Sequence, residues 1–225
     1  MSINLAICLV LISLTTIGLA TVDPEVPVSE TTKAIYHGSS EDKVALMFNV
    51  YDGTDHLLAI VDIFEKYDLK TTFFVGGVWA RRNTDTLSSI ASKGFEIGSH
   101  GYFHKDHSKC NYRENYREIS ASKELMENII GHKITLFAPP SGAYNNDTIA
   151  ACVELNLNVI MWSRDTIDWR DHDSDLIYRR ATSDMAGGDL ILMHPTQETV
   201  NALPEILDYC IQHELTPSTV TETLN

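Results

Sequence analysis

Two imidazoles four residues apart are the first feature of this sequence that could do chemistry. His100 and His104, in His100-Gly101-Tyr102-Phe103-His104, share a face if the segment turns helically, a geometry that suits a divalent metal such as zinc. In a plain loop the same spacing describes two surface histidines. What favours chemistry is the company they keep, because polar residues recur wherever an apolar run ends. Asn49 and Asp52 close the run that starts at Val44, and His100 and His104 follow the run at 95–99. Pro139 to Gly142 follow 136–138, Asp165 and Asp168 follow 159–162, and His194 follows 190–193.

Residues so far apart meet only if the runs are strands whose ends share one mouth. The runs at 44–50, 71–75, 95–99, 136–138, 159–162 and 190–193 read as short buried strands, with a last one near 218–221. Between and after them, 56–67, 85–93, 112–130, 147–155, 176–184 and 200–213 carry helical spacing, and Gly94 and Gly131 stop two of these helices. Strand-then-helix units without a repeated motif call for a parallel sheet. About seven strands in some 180 residues predict an α/β fold of the incomplete or distorted (β/α) barrel type, whose C-terminal strand ends line the active site.

Composition narrows the function. Residues 1–20 contain no charged side chain and hold an apolar run from Leu5 to Leu14, followed by Gly18 and Ala20. They read as a cleaved signal peptide, with a signal anchor as the alternative. Residues 21–42 are polar and contain two prolines, an N-terminal arm, and residues 43–225 form one domain. The protein is therefore expected to be secreted, extracellular or in the cell wall, with no membrane association beyond the signal peptide. Seventeen Lys and Arg against 31 Asp and Glu, a net charge of −14, argue against nucleic acid and anionic lipid and suit a neutral or cationic partner. Cys110, Cys152 and Cys210 are an odd set that allows at most one disulfide. Asn146-Asp147-Thr148 is an N-glycosylation triplet or an unmodified loop asparagine.

The blocks KTTFFVGGVWA, GFEIGSHGYFH, FAPPSGAYN, WSRDTIDW and ILMHP resemble the polysaccharide deacetylase family, carbohydrate esterase family four, in its order and across nearly the whole chain after residue 43. The resemblance implies removal of acetyl groups from chitin, its oligomers, peptidoglycan or xylan on an incomplete barrel, with a divalent metal of the zinc or cobalt type. It assigns His100 and His104 to the metal, with Asp52 a candidate to complete the set. His194 becomes the acid that protonates the leaving amine, where the alternative is a buried structural histidine. Asp165 or Asp168 tunes that histidine, and Trp169 and Leu192 enclose the acetyl methyl, where the alternative is a polar loop. The turn at Pro140 and Ser141 offers a backbone N–H to the developing oxyanion. A chitin-like or other N-acetylglucosamine polymer is the expected partner.

The family's first motif reads Thr-Phe-Asp-Asp-Gly, its first Asp the base and its second a metal ligand. Here the stretch is Met47-Phe48-Asn49-Val50-Tyr51-Asp52-Gly53, so Asn49 replaces the base, Val50 replaces the ligand and two residues are added before the glycine. An amide takes no proton near neutral pH and valine offers no ligand atom. A few relatives carry Phe-Asp-Ile-Ser-Trp-Gly, to which this stretch is closer, and there too the base is Asp. Ala138 stands where active members carry Arg, leaving Arg164 as a substitute partner for Asp165. The expectation is a metal site weak or absent and activity weak or lost; the competing one is an inactive carbohydrate-binding or structural wall protein.

Overall fold

The computed structural model describes residues 33–225, so the segment read as a signal peptide and most of the arm lie outside the described residues. Strands β1 (Lys43–Val50), β2 (Thr72–Val75), β3 (Glu96–Ser99), β4 (Leu136–Phe137), β5 (Asn158–Val159), β6 (Arg164–Asp165) and β7 (Leu190–Met193) pair in the order β5-β4-β3-β2-β1-β7-β6. Every one of these pairs is parallel. A short β8 (Thr216–Pro217) also pairs with β1, outside that path.

This order forces the sheet to curl. β5 and β6 lie at opposite edges, yet only residues 160–163 join them. Laid flat, seven strands at ~4.8 Å spacing would hold the edges about 29 Å apart. Five Cα steps reach at most about 19 Å. The result is an open, curled half-barrel, and the end of the arm enters the opening. Ile35 donates its N–H to Val159 O (2.8 Å) and accepts one from Met161 (2.7 Å), and His37 forms an antiparallel bridge to Asp189.

Helices α1 (Asp55–Lys66), α2 (Gly77–Arg82), α3 (Thr84–Ser92), α4 (Tyr112–Ile130), α5 (Asn146–Glu154), α6 (Ser174–Thr182), α7 (Gln197–Gln212) and α8 (Val220–Leu224) complete the chain. Successive strand residues face opposite sides, and the buried side chains divide accordingly. Val44, Leu46, Phe48 and Val50 of β1 join Phe64, Ile119 and Leu207 in a large apolar layer between sheet and helices. Ala45 and Met47 of the same strand join Phe74, Leu136, Ala138, Leu190 and Leu192 in a smaller cluster inside the barrel.

Two sequence expectations change. The strand expected at 218–221 is β8 at Thr216–Pro217 followed by α8, because Thr219 and Glu222 form a capping box that starts a helix. The strand expected at 159–162 ends at Val159 as β5, and a further strand, β6, follows at Arg164–Asp165, since the chain crosses from one edge of the sheet to the other between them. None of Cys110, Cys152 and Cys210 is paired. The triplet at Asn146 opens α5, where the Thr148 hydroxyl is buried in a capping box.

Helix α8 closes the floor of the barrel. Val220 packs beneath the interior cluster and its N–H bonds Thr72 Oγ1 (2.8 Å). Glu96 lies alongside, accepting hydrogen bonds from the Thr72 hydroxyl (2.5 Å) and from the N–H (3.2 Å) and hydroxyl of Thr221. Burial raises the Glu96 pKa above the usual carboxylate range, outweighing those donors. The folded state then holds this proton more tightly than the unfolded chain. Its contribution to stability is present below the ordinary glutamate pKa and is lost as pH rises through the raised value. Thermal unfolding of Glu96→Gln against the parent should therefore show the variant gaining in Tm toward pH 8, with the gap closing near pH 4; a gap that widens on acidification contradicts this origin.

Candidate active site

The inward-facing series on each strand runs on past the sheet into the mouth. On β1, Ala45 and Met47 are followed by Asn49, which is 3% exposed and whose Oδ1 has no hydrogen-bond partner within the protein. On β3, Glu96 and Gly98 lead to His100, whose N–H extends the β2 ladder by bonding Val75 O (2.9 Å). On β7, Leu190 and Leu192 lead to His194. Val50 lies between inward positions, and its fully buried side chain belongs to the outer layer. Its expected place as the lost metal ligand is corrected accordingly: the side chain faces helices.

His100 is 1% exposed and its Nδ1 lies 2.8 Å from Ala138 O, a contact that places the proton on Nδ1 and leaves Nε2 with a free lone pair. Burial, then the neighbouring His104, pushes its pKa down to about 3. His104 is also lowered, chiefly by burial, and both rings are neutral near pH 7. The segment between them is not helical, contrary to the sequence expectation; it bends, with His104 at φ 55°. The ring centroids are 5.1 Å apart. Two imidazoles on one tetrahedral zinc, with Zn–N near 2.0–2.1 Å, have centroids about 5 Å apart.

Buried polar groups of α4 hold this loop, and sequence reasoning missed them. Ser122 Oγ donates to Gly101 O (3.0 Å), Glu118 accepts the Phe103 N–H, and Asn115 Oδ1 lies 2.6 Å from Nδ1 of the fully buried His107. Their signal was available: Asn115, Glu118 and Ser122 sit on the helix stripe that also buries Ile119 and Met126, where apolar residues belong.

On the other side of the mouth, Asp168 is fully buried and its Oδ1 accepts a hydrogen bond from His194 Nδ1 (2.8 Å). Its Oδ2 accepts from the His194 N–H (2.5 Å) and from the Thr199 hydroxyl on α7 (2.7 Å). Thr199 was not anticipated. Asp165 is not the aspartate on this imidazole, for its Oδ1 accepts the Ile167 N–H (2.8 Å). Nor does Arg164 serve it: the guanidinium bonds Asp189 (2.6 Å) and the carbonyls of Ser183 and Asp184. Leu192 is 3% exposed inside the barrel, Trp169 is 54% exposed, and Pro140 is buried beside an exposed Ser141 in a left-handed conformation (φ 55°). Asp52 is exposed and bonds its own neighbour, Oδ1 accepting the Gly53 N–H (2.9 Å). It lines a separate cavity of about 360 Å³ with Thr54, Asp55, Trp79 and Arg82.

The residues present do not fit the family's metal. The described residues hold no group of three His, Cys, Asp or Glu side chains placed to share an ion. His100 and His104 supply two donors, and the adjoining inward position is an amide, short of the three protein ligands that a catalytic zinc normally has.

The polysaccharide deacetylase family model matches residues 37–160, and the chain belongs to that family. It is 34% identical over 192 residues to the uncharacterized protein YlxY of Bacillus subtilis, covering 85% of this chain and 60% of that one. It is 29% identical over 170 residues to a peptidoglycan-N-acetylglucosamine deacetylase of Bacillus cereus, covering 73% and 62%. The chain thus spans about 60% of the length of these curated relatives. Among solved structures, a CE4 family pseudoenzyme from Bacillus anthracis superimposes with a TM-score of 0.84 at 29% identity, covering 87% of this chain and 70% of that one. A mutant of it described as having restored enzymatic activity gives the same TM-score at 28% identity, covering 87% and 72%.

Chemically the site is one-sided. His194, oriented by Asp168, can carry a proton on Nε2 to a leaving nitrogen. Across from it, Asn49 can accept a hydrogen bond and cannot take a proton. Replacing Asp168 by Ala strands two donors of His194 and the Thr199 hydroxyl, which should cost about 2–4 kcal/mol. Asp165→Ala should cost under about 1 kcal/mol. Urea unfolding of both variants distinguishes the two aspartates, and equal losses would put the wrong one at the imidazole.

Proposed function

We propose that this chain acts outside the cell on N-acetylglucosamine-containing wall glycans, of the peptidoglycan or chitin-like kind, and that its hydrolysis of acetamide groups is weak or lost. The single observation that carries this reading is Asn49, an amide at the inward end of β1 with its Oδ1 unpartnered, where the resemblance calls for a general base. Base catalysis is worth roughly 10²–10⁴-fold, so its loss alone is severe. The neighbourhood of the substrate is supported by the Bacillus cereus relative, named for peptidoglycan N-acetylglucosamine, and the net charge of −14 disfavours nucleic acid as the partner. Export rests on residues 1–20 read as a signal peptide.

In this reading residues 43–225 form the glycan-binding domain. Trp169 supplies an exposed ring for a sugar face, Leu192 and Pro140 wall the acetyl site, Ser141 presents its backbone to the carbonyl oxygen, and His194 approaches the nitrogen. A carbohydrate-binding or structural role in the wall is the form this function takes if turnover is nil.

Acetate release from N-acetylglucosamine oligomers and from peptidoglycan, with Zn²⁺ or Co²⁺ added, should fall at least about 100-fold below that of an ordinary family deacetylase. Sedimentation with insoluble peptidoglycan or chitin should still retain the protein, and Trp169→Ala should weaken that retention about tenfold, a loss of the size a stacked aromatic ring supplies. Turnover within tenfold of an ordinary deacetylase would sink the reading.

A further inference from the structure

We propose that Tyr51, rather than Val50, stands at the position from which a third ligand would face His100 and His104, and that its ring is what keeps a metal ion from between them. This rests on the impaired site described under the proposed function and identifies the residue responsible.

The bend that follows β1 and the ring distances place Tyr51 there. Ala45, Met47 and Asn49 face inward on β1, Val50 pairs with Val75 and faces outward, and Gly76 N–H bonds Val50 O at 2.8 Å. That bond closes the β1–β2 ladder, and the chain then bends at Tyr51 and Asp52, which turns the Tyr51 side chain over the mouth. The ring geometry agrees. Its centroid lies 4.4 Å from that of His104 and 6.3 Å from those of both His100 and His194, so one phenol ring packs on His104 and stands beside the other two imidazoles of the mouth.

An ion about 2.1 Å from an imidazole nitrogen lies only about 3.2 Å from that ring's centroid, so it would occupy the space around which the tyrosine packs. The phenol is 47% exposed, and its other side borders the cavity that holds Asp52 and Asp55. Those carboxylates are thus placed across the ring from the histidines. The two residues inserted before Gly53 explain why: they form the bend that leaves β1 and put an aromatic side chain in it.

Restoring the family motif by alignment, Asn49→Asp with Val50→Asp, therefore puts the second carboxylate into the outer apolar layer. Restoring it by register means Asn49→Asp with Tyr51→Asp. Titration with Co²⁺, followed by the visible absorption of the bound ion and needing no turnover, separates the two. The register pair should bind Co²⁺ about tenfold or more tightly than the wild type, as expected when a third protein ligand is added. The alignment pair should bind no better than the wild type. Tyr51→Phe should leave the wild-type affinity unchanged, because the ring excludes the ion.

If the alignment pair does not fold, the register pair is compared with Asn49→Asp alone, which should bind at least about tenfold more weakly. Equal affinity in that comparison, tighter binding by the alignment pair, or a gain from Tyr51→Phe would overturn the assignment. The glycan-retention assay on the wild type is independent of all four variants, so a failure of the proposed function is seen separately.

Discussion

The structure depends on one constraint, the alternation of side chains on the parallel strands of a curled sheet. A half-barrel has two buried faces with different tasks. The outer face carries most of the hydrophobic stabilisation, since helices cover it and residues such as Phe48, Phe64 and Phe73 fill the layer. The inner face is too narrow for many large residues, and its cluster runs upward into the mouth, so the polar residues continuing each inward series arrive together without further design. A one-residue shift in β3 or β7 would exchange an imidazole for a core residue.

That constraint explains what was legible in the sequence and what was not. The apolar runs gave the strands, and their polar ends placed His100, His104, Asp168 and His194 at one mouth, because strand periodicity and chain order suffice for that. Direction within the mouth was harder. Asp165 and Asp168 lie three positions apart, one ending β6 and one in the loop after it, and nothing in the sequence says that Ile167 would claim the first while His194 and Thr199 bond the second. Val50 aligned with a ligand because alignment counts positions, whereas facing depends on where the strand ends. β6 escaped detection because two residues carry no period, and α8 because its capping box was overlooked beside the β-branched residues that suggested a strand.

Asp168 is worth setting against Asn49. A fully buried carboxylate is costly unless its oxygens are satisfied, and here three donors from two elements converge on it. The loop of His100 and His104 is likewise fastened by Glu118, Asn115 and Ser122 from below. These bonds hold the walls of the mouth whether or not a proton is ever abstracted there. The shape of the mouth therefore does not depend on the residue at position 49.

Binding and catalysis separate at this point on energetic grounds. A groove recognises a ground-state sugar through ring faces, hydrogen bonds and excluded water, and an amide in place of a carboxylate changes little in that account. Acceleration of amide hydrolysis instead requires interactions that strengthen as charge and proton move, which is the contribution of a base. Asparagine at the end of β1 keeps nearly the volume of aspartate and can accept one hydrogen bond, so it preserves the first and removes the second. Tyr51 adds to the same division, since a phenol ring set among three imidazoles excludes an ion while offering an exposed aromatic face of the kind sugars stack on. On the proposed function, a mouth altered in these two places and otherwise fastened by buried hydrogen bonds would hold a glycan longer than it could transform one.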